Sequence, residues 1–155
     1  LLNSILDDTI KGTFMMCFQE YMNRSGSYLA KTHQLSLDNV WVNDMYAGEY
    51  NPAHFHSSKS SLVGLSSVLF LKVPDTYGEE YTNSHTPANG HLEFIGGSQH
   101  SLAISQMRVS PEVGDFFIFP YTLVHTVYPF RQTEQMRRTL SYNCDLFPKV
   151  MVKPT

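Results

Sequence analysis

Beyond Leu37 the chain breaks into short runs of β-branched and aromatic residues, punctuated by Gly, Pro, Asn and Ser, with nothing of helical period between them. The runs are VWVNDMYA (40–47), HFH (54–56), LSSVLFLKV (65–73), HLEFI (91–95), SLAISQMRV (101–109), DFFIFP (115–120), VHTVYPF (124–130) and RRTLSYNCDL (137–146). Parallel strands need crossover connections, which are usually helices. None is available here, so about eight strands must pair antiparallel. The expected fold is mainly β: a double-stranded β-helix, the jelly-roll or cupin-like barrel, over about residues 40–146. Residues 4–23 alone carry a helical stripe, with Ile5, Ile10, Phe14, Cys17, Phe18 and Tyr21 on one side. They predict an N-terminal helix packed outside the barrel, capped by Ser4, with Asp7 and Asp8 in its first turn and Gly26 beyond its end. A length of 155 residues suits a single domain spanning 1–155.

Composition narrows the function classes. Apolar residues make up 42% and charged residues 16%, with 13% aromatic, which excludes a disordered chain. A net charge of −3 argues against nucleic acid as the main partner, because phosphate binding needs a clustered basic surface. Cys17 and Cys144 lack the C-x-x-C spacing of a zinc or redox pair and read as core thiols of a cytoplasmic protein. No run approaches the ~20 apolar residues of a membrane helix, so no membrane partner is expected. Residues 75–90, DTYGEEYTNSHTPANG, form the one long irregular loop. Loops of that length are often lids or binding loops, although its polar composition suits disorder equally.

Of seven histidines, His33, His85 and His100 fall in polar, loop-like stretches and are expected to be solvated. His54 and His56 stand two apart. In an extended segment such side chains share a face, about 6.5–7 Å apart along the strand, so both imidazoles can turn to one ion. Alone, the pair is a weak signal. His125 strengthens it, because it follows the apolar strand 115–120 and a barrel can bring it opposite His54 and His56. By itself His125 reads equally well as a core histidine bonded to a carbonyl.

Twelve residues further on, Arg137 opens RRTLSYN. Strand alternation puts Arg137, Thr139, Ser141 and Asn143 on one face and Arg138, Leu140 and Tyr142 on the other. An arginine with a hydroxyl two residues on can hold a carboxylate by a fork plus one hydrogen bond. Arg138 reads as a surface charge on an edge strand.

Together these residues resemble the iron(II)/2-oxoglutarate-dependent oxygenases, in particular the prolyl-hydroxylase-like branch and its small members in bacteria and bacteriophages. That family carries H-x-D/E, a distant histidine, and R-x-S/T about a dozen residues later. Here the pattern becomes His54-Phe55-His56, His125 and Arg137-Arg138-Thr139, supported by Trp41-Val42-Asn43, Asn51-Pro52, the strand Val68–Pro74 and Gly114-Asp115. The resemblance covers roughly residues 40–146. It departs from the usual pattern at His56, where most relatives have a carboxylate. Asp44 or Glu93 would be the substitutes, both otherwise solvated strand residues, and His91 a reserve ligand.

The resemblance implies that His54, His56 and His125 hold Fe(II), and that 2-oxoglutarate is a co-substrate whose distal carboxylate meets Arg137 and Thr139. Asn43 is implied as a co-substrate or supporting contact. Dioxygen would then hydroxylate a substrate, with a peptidyl proline as one candidate, releasing succinate and carbon dioxide. Trp41 reads as core or as part of the site wall. Two other classes fit the same residues: a cupin-like three-histidine metalloenzyme that does not use 2-oxoglutarate, and a metal-free jelly-roll binding module using Tyr77, Tyr81 and Tyr128 as platforms. Succinate production separates the first class from the second, and metal content separates both from the third. Oligomeric state is not encoded in any of these features.

Overall fold

The structure, a computed structural model, describes residues 4, 6–79, 85–97, 102 and 104–149. Eight strands form two four-stranded antiparallel sheets. The elements are α1 (Asp8–Arg24), α2 (Leu29–Thr32), β1 (His33–Met45), β2 (Asn51–His54), β3 (Gly64–Lys72), β4 (Leu92–Ile95), β5 (Gln106–Val109), β6 (Phe116–Pro120), β7 (Val124–Val127) and β8 (Arg137–Pro148). The large sheet runs β1-β8-β3-β6 and the small sheet β2-β7-β4-β5. Along the chain the strands alternate between the two sheets, except that β4 and β5 pair with each other in the small one. This is the connectivity of a double-stranded β-helix, and the mainly β jelly roll expected above is the fold observed.

Two apolar clusters hold the layers. The outer one packs Phe14, Phe18 and Met22 of α1 against Leu65, Tyr142, Cys144 and Leu146 of the large sheet. Spacing of four residues keeps those three helical side chains on one face, so α1 lies outside the barrel as predicted. Its cap differs from expectation. Asp7, not Ser4, accepts from the Thr9 N–H at 2.7 Å, since the helix starts one turn later. Ile10, assigned to the buried stripe, is exposed, and Ile5 lies outside the described residues. The inner cluster, between the sheets, contains Met45, Phe70, Leu92, Phe94, Phe119, Val127 and Phe130.

Strand bounds depart from expectation in three places. β1 begins at His33 rather than at residue 40, with a register shift between Leu37 and Val40 against β8. His33, expected to be solvated, is therefore half-buried at the strand's start, with Thr32 Oγ1 2.9 Å from its Nδ1. β2 covers Asn51–His54 rather than 54–56. Of the run at 101–109, Gln106–Val109 is strand. His100 and the stretch 80–84 of the long loop lie outside the described residues. No helix among the described residues is long and apolar enough to cross a membrane.

Candidate metal centre

His54, His56 and His125 come together. Their candidate ligand nitrogens all lie within 4.8 Å of one another. His54, at the end of β2, is the register partner of His125 on β7, and their ring centroids are 4.2 Å apart. His56 reaches the cluster from just beyond the strand, where its backbone N–H donates to the Tyr121 carbonyl at 2.9 Å. His54 and His56 are partly buried while Phe55 between them is exposed, the alternation that the two-apart spacing predicts.

Hydrogen bonding fixes two of the three rings. His54 Nδ1 sits 2.7 Å from the Pro52 carbonyl, and His125 Nδ1 sits 3.0 Å from the Leu123 carbonyl. A carbonyl only accepts, so each Nδ1 carries the proton and each Nε2 keeps its lone pair. Such bonds orient metal-ligating histidines. The Nε2 atoms of His56 and His125 stand 3.2 Å apart, with the rings stacked. Burial pulls both imidazoles down to about 4, aided at His56 by the neighbouring His125 and His54. Both are therefore neutral near pH 7, the form that binds a metal.

Arg137 lines the same cavity, a space of about 60 Å³ whose walls also include Trp41, Asn43, Ser66, Phe119 and Thr139. The guanidinium is 2% exposed. Its Nη1 donates to the Gly90 carbonyl at 3.0 Å, its Nη2 lies 3.1 Å from Met45 Sδ, and its charge sits 5.7 Å from the Phe70 ring centre. No carboxylate among the described residues pairs with it. Burial draws it down to about 10, which still leaves it charged at pH 7. Thr139 is buried next to it on the same face, in register with Asn43 on β1 and Phe70 on β3.

The other expectations divide. Arg138 is partly exposed as expected, forming a two-bond fork to Asp44 at 2.7 Å, but β8 is an inner strand of its sheet and not an edge. That fork commits Asp44 away from the histidines. Glu93, expected to be solvated, is 3% exposed. It is held by Arg108 Nη2 at 3.0 Å and by a short bond from the Tyr128 hydroxyl, and it is not part of the metal cluster. His91 is not part of it either; its ring packs near Tyr77. Trp41 is half-buried on the cavity wall, its ring 5.9 Å from that of His56. Of the three tyrosine platforms, Tyr77 donates to the Pro111 carbonyl, Tyr128 to Glu93, and Tyr81 lies outside the described residues.

Sequence reasoning passed over Ser66, Phe70 and Phe119 as walls of the site. Period two along LSSVLFLK would have put Ser66, Val68 and Phe70 on one face, and all three line the cavity. It also passed over Asp145, buried at the other end of β8, which accepts from the Tyr121 hydroxyl at 2.9 Å and from Ser58 Oγ at 2.8 Å.

A family described as "Putative 2OG-Fe(II) oxygenase" matches residues 39–143, more than half of the chain and the whole span from Asn43 to Thr139. The chain belongs to this 2OG-Fe(II) oxygenase family. No curated protein sequence matches it. Among solved structures, an oxidoreductase of the 2OG-Fe(II) oxygenase family from Burkholderia pseudomallei aligns at 15% identity and a TM-score of 0.51, covering 82% of this chain and 50% of that one. The chain thus spans half the length of that relative, and at this identity the likeness bears on the fold. A non-heme monooxygenase, ThoJ in complex with nickel, aligns at 14% identity over 86% of this chain and 67% of that one, with a TM-score of 0.45. An RmlC-like cupin from Desulfovibrio desulfuricans aligns at 14% over 72% and 82%, with a TM-score of 0.37.

The donor set fits the family's metal and co-substrate. Three imidazoles converge with two Nε2 lone pairs fixed by carbonyl partners, and a buried cation in the same cavity has no anionic partner among the described residues. Buried charges are paired in folded proteins, so this arginine calls for an anionic ligand.

Proposed function

We propose that the protein is an Fe(II)- and 2-oxoglutarate-dependent dioxygenase of the cytoplasm, acting through one jelly-roll domain over residues 1–155. In this reading His54, His56 and His125 hold the metal. Arg137 pairs with the distal carboxylate of 2-oxoglutarate, Thr139 adds a hydroxyl donor, and Asn43 contacts the co-substrate from β1. The observation that carries the reading is Arg137, a guanidinium 2% exposed with no acidic partner among the described residues, in the cavity that the three histidines line.

With 2-oxoglutarate and dioxygen, the bound metal supplies hydroxylation of a C–H bond coupled to release of succinate and carbon dioxide. The chain's part is to bind, orient and exclude water. His125 and His54 present their Nε2 atoms because the Leu123 and Pro52 carbonyls hold the protons at Nδ1. Arg137 fixes the far end of the co-substrate by charge and fork geometry in a desolvated site, where such a pair is stronger than in water. Phe70, Phe119, Leu92 and Val127 keep the walls apolar. Three neutral donors leave the full double charge of the ion uncompensated by the protein, which favours an anionic chelating co-substrate. The primary substrate is a peptide or protein residue, with peptidyl proline the leading candidate.

A cupin-like three-histidine enzyme independent of 2-oxoglutarate shares the imidazoles but gives the buried Arg137 no task. The test is turnover of labelled 2-oxoglutarate by iron-loaded protein in air. Succinate accumulating with carbon dioxide supports the reading. A protein that binds iron yet forms no succinate, with or without candidate peptides, refutes it.

A further inference from the structure

Among the described residues four strands end the two sheets, and one of them leaves a long open edge. β6 has five residues and β2 four, with a proline in each, Pro120 and Pro52. β5 has four residues, one of them Arg108. Short length, proline and charge are the devices that keep an edge from pairing with other chains. β1 is 13 residues long and is paired on one side, with β8. Beyond its register shift, residues 40–45 read VWVNDM, rich in β-branched and aromatic side chains and without proline or lysine. The one charge there, Asp44, is paired with Arg138. Every second residue of this stretch turns its N–H and C=O away from β8.

That edge borders the mouth of the metal cavity. The lining residues Trp41 and Asn43 of β1, with Asn51 and His54 of β2, are half-buried. Phe119, on β6 at the opposite edge of the large sheet, is buried. Asn43 and Asn51 also line a surface basin of about 420 Å³ together with Glu49 and Tyr50, so the cavity opens between β1 and β2. At about 60 Å³ the cavity cannot enclose a peptide. A peptide substrate therefore lies along the outside and sends one side chain in.

The open edge is placed to hold it there. A strand added to β1 runs about 4.8 Å from it, and its residue opposite Trp41 has its side chain about 5 Å from that of Trp41. The Trp41 ring is 5.9 Å from that of His56, so the added residue stands at the mouth, beside the imidazoles. An added strand is itself an edge, and a proline in it forfeits no ladder bond where its nitrogen faces outwards. A second copy of the chain paired along this stretch would stand across the mouth and bar any substrate.

We propose that the primary substrate is a peptide bound in extended form, its main chain hydrogen-bonded to the free edge of β1 over residues 40–45, with the residue to be hydroxylated opposite Trp41. This placement rests on the oxygenase reading above and deepens it.

The test uses the iron-loaded chain, kept anaerobic with 2-oxoglutarate, and a fluorescein-labelled peptide amide, Thr-Val-Thr-Pro-Thr-Val-Thr, followed by anisotropy. The valine nitrogens share the proline's outward direction, so N-methylating both valines is expected to move the binding midpoint by less than about twofold. The nitrogens of the two threonines flanking the proline face β1. N-methylating both removes two ladder bonds and is expected to raise the midpoint by about tenfold or more. Hydrogen exchange read by mass spectrometry is expected to slow at residues 40–45 when the parent peptide binds. A parent peptide that does not bind, equal effects from the two N-methylated peptides, or protection confined to residues 51–54 overturns the proposal. So does a dimer with residues 40–45 already protected that the peptide does not dissociate, which would give the edge to a second copy. Peptide binding by protein that forms no charge-transfer band with 2-oxoglutarate counts against the oxygenase reading alone, since hydrogen exchange still places the strand.

Discussion

Replacing Arg137 by methionine separates a ligand-binding arginine from a structural one. Methionine keeps most of the length and packing of the side chain while removing its charge. In the ligand-free protein the guanidinium is 2% exposed, with one carbonyl, one thioether and one ring as its neighbours. Burial draws it down to about 10 from the usual arginine range, a desolvation cost of about 3 kcal/mol. Removing it therefore relieves that cost and forgoes the bond to Gly90, so the ligand-free variant is expected to be as stable as the parent, or more so. Binding moves the other way. A carboxylate desolvated without its partner is worse by about 3–5 kcal/mol. At 1.4 kcal/mol per decade, 2-oxoglutarate affinity falls by about two to four orders of magnitude. The assay is an anaerobic titration of iron-loaded protein followed by the chelate's visible band, with metal content and Tm measured on the same samples. Unchanged 2-oxoglutarate affinity, or loss of iron alongside it, would refute the role given to Arg137. A Tm lower by many degrees would show that the charge is structural.

Two further outcomes are expected. His125→Ala loses iron while retaining most of its fold, since the side chain removed is one imidazole packed on Phe119 and Phe94; metal analysis after anaerobic loading checks it, and full stoichiometry in the variant contradicts the triad. For metal-free protein, burial holds His56 and His125 near 4, whereas an unfolded chain titrates near 6.5. The unfolded state binds more protons between those values, so stability is full above about pH 6.5 and is lost as pH falls towards 4. Melting curves across that range check the sign, with His56→Asn expected to flatten the slope; a stability that rises on acidification contradicts it.

The antiparallel order of strands was legible because strand periodicity and the lack of crossover helices leave few topologies. So was the polar face of β8, where period two sets Arg137 and Thr139 apart from Arg138. What escaped depended on partners remote in sequence. Glu93 looked solvated because nothing near it in the chain announces Arg108, its register partner on β5, or Tyr128 beyond β7. β1 was cut short because Asp38 and Asn39, strong turn formers, sit at its register shift and mask the alternation of residues 33–37. His56 lies just beyond β2 yet keeps the strand's alternation, with Phe55 exposed and its own N–H donating to the Tyr121 carbonyl, so its convergence with His54 was legible in the spacing. Period two groups Ser66 with Val68 and Phe70, but which face of that strand meets the cavity is settled only by its neighbours across the sheet.

The central claim is that three imidazoles from β2, the segment just beyond it and β7 enclose one ion, with Arg137 further along the same cavity. Anomalous diffraction at the iron edge, from crystals grown anaerobically with Fe(II), tests it directly. One strong peak within bonding distance of the Nε2 atoms of His54 and His125 and a ring nitrogen of His56 is the predicted result. A peak held by other side chains, or none in that cavity from protein that carries iron in solution, would contradict the account.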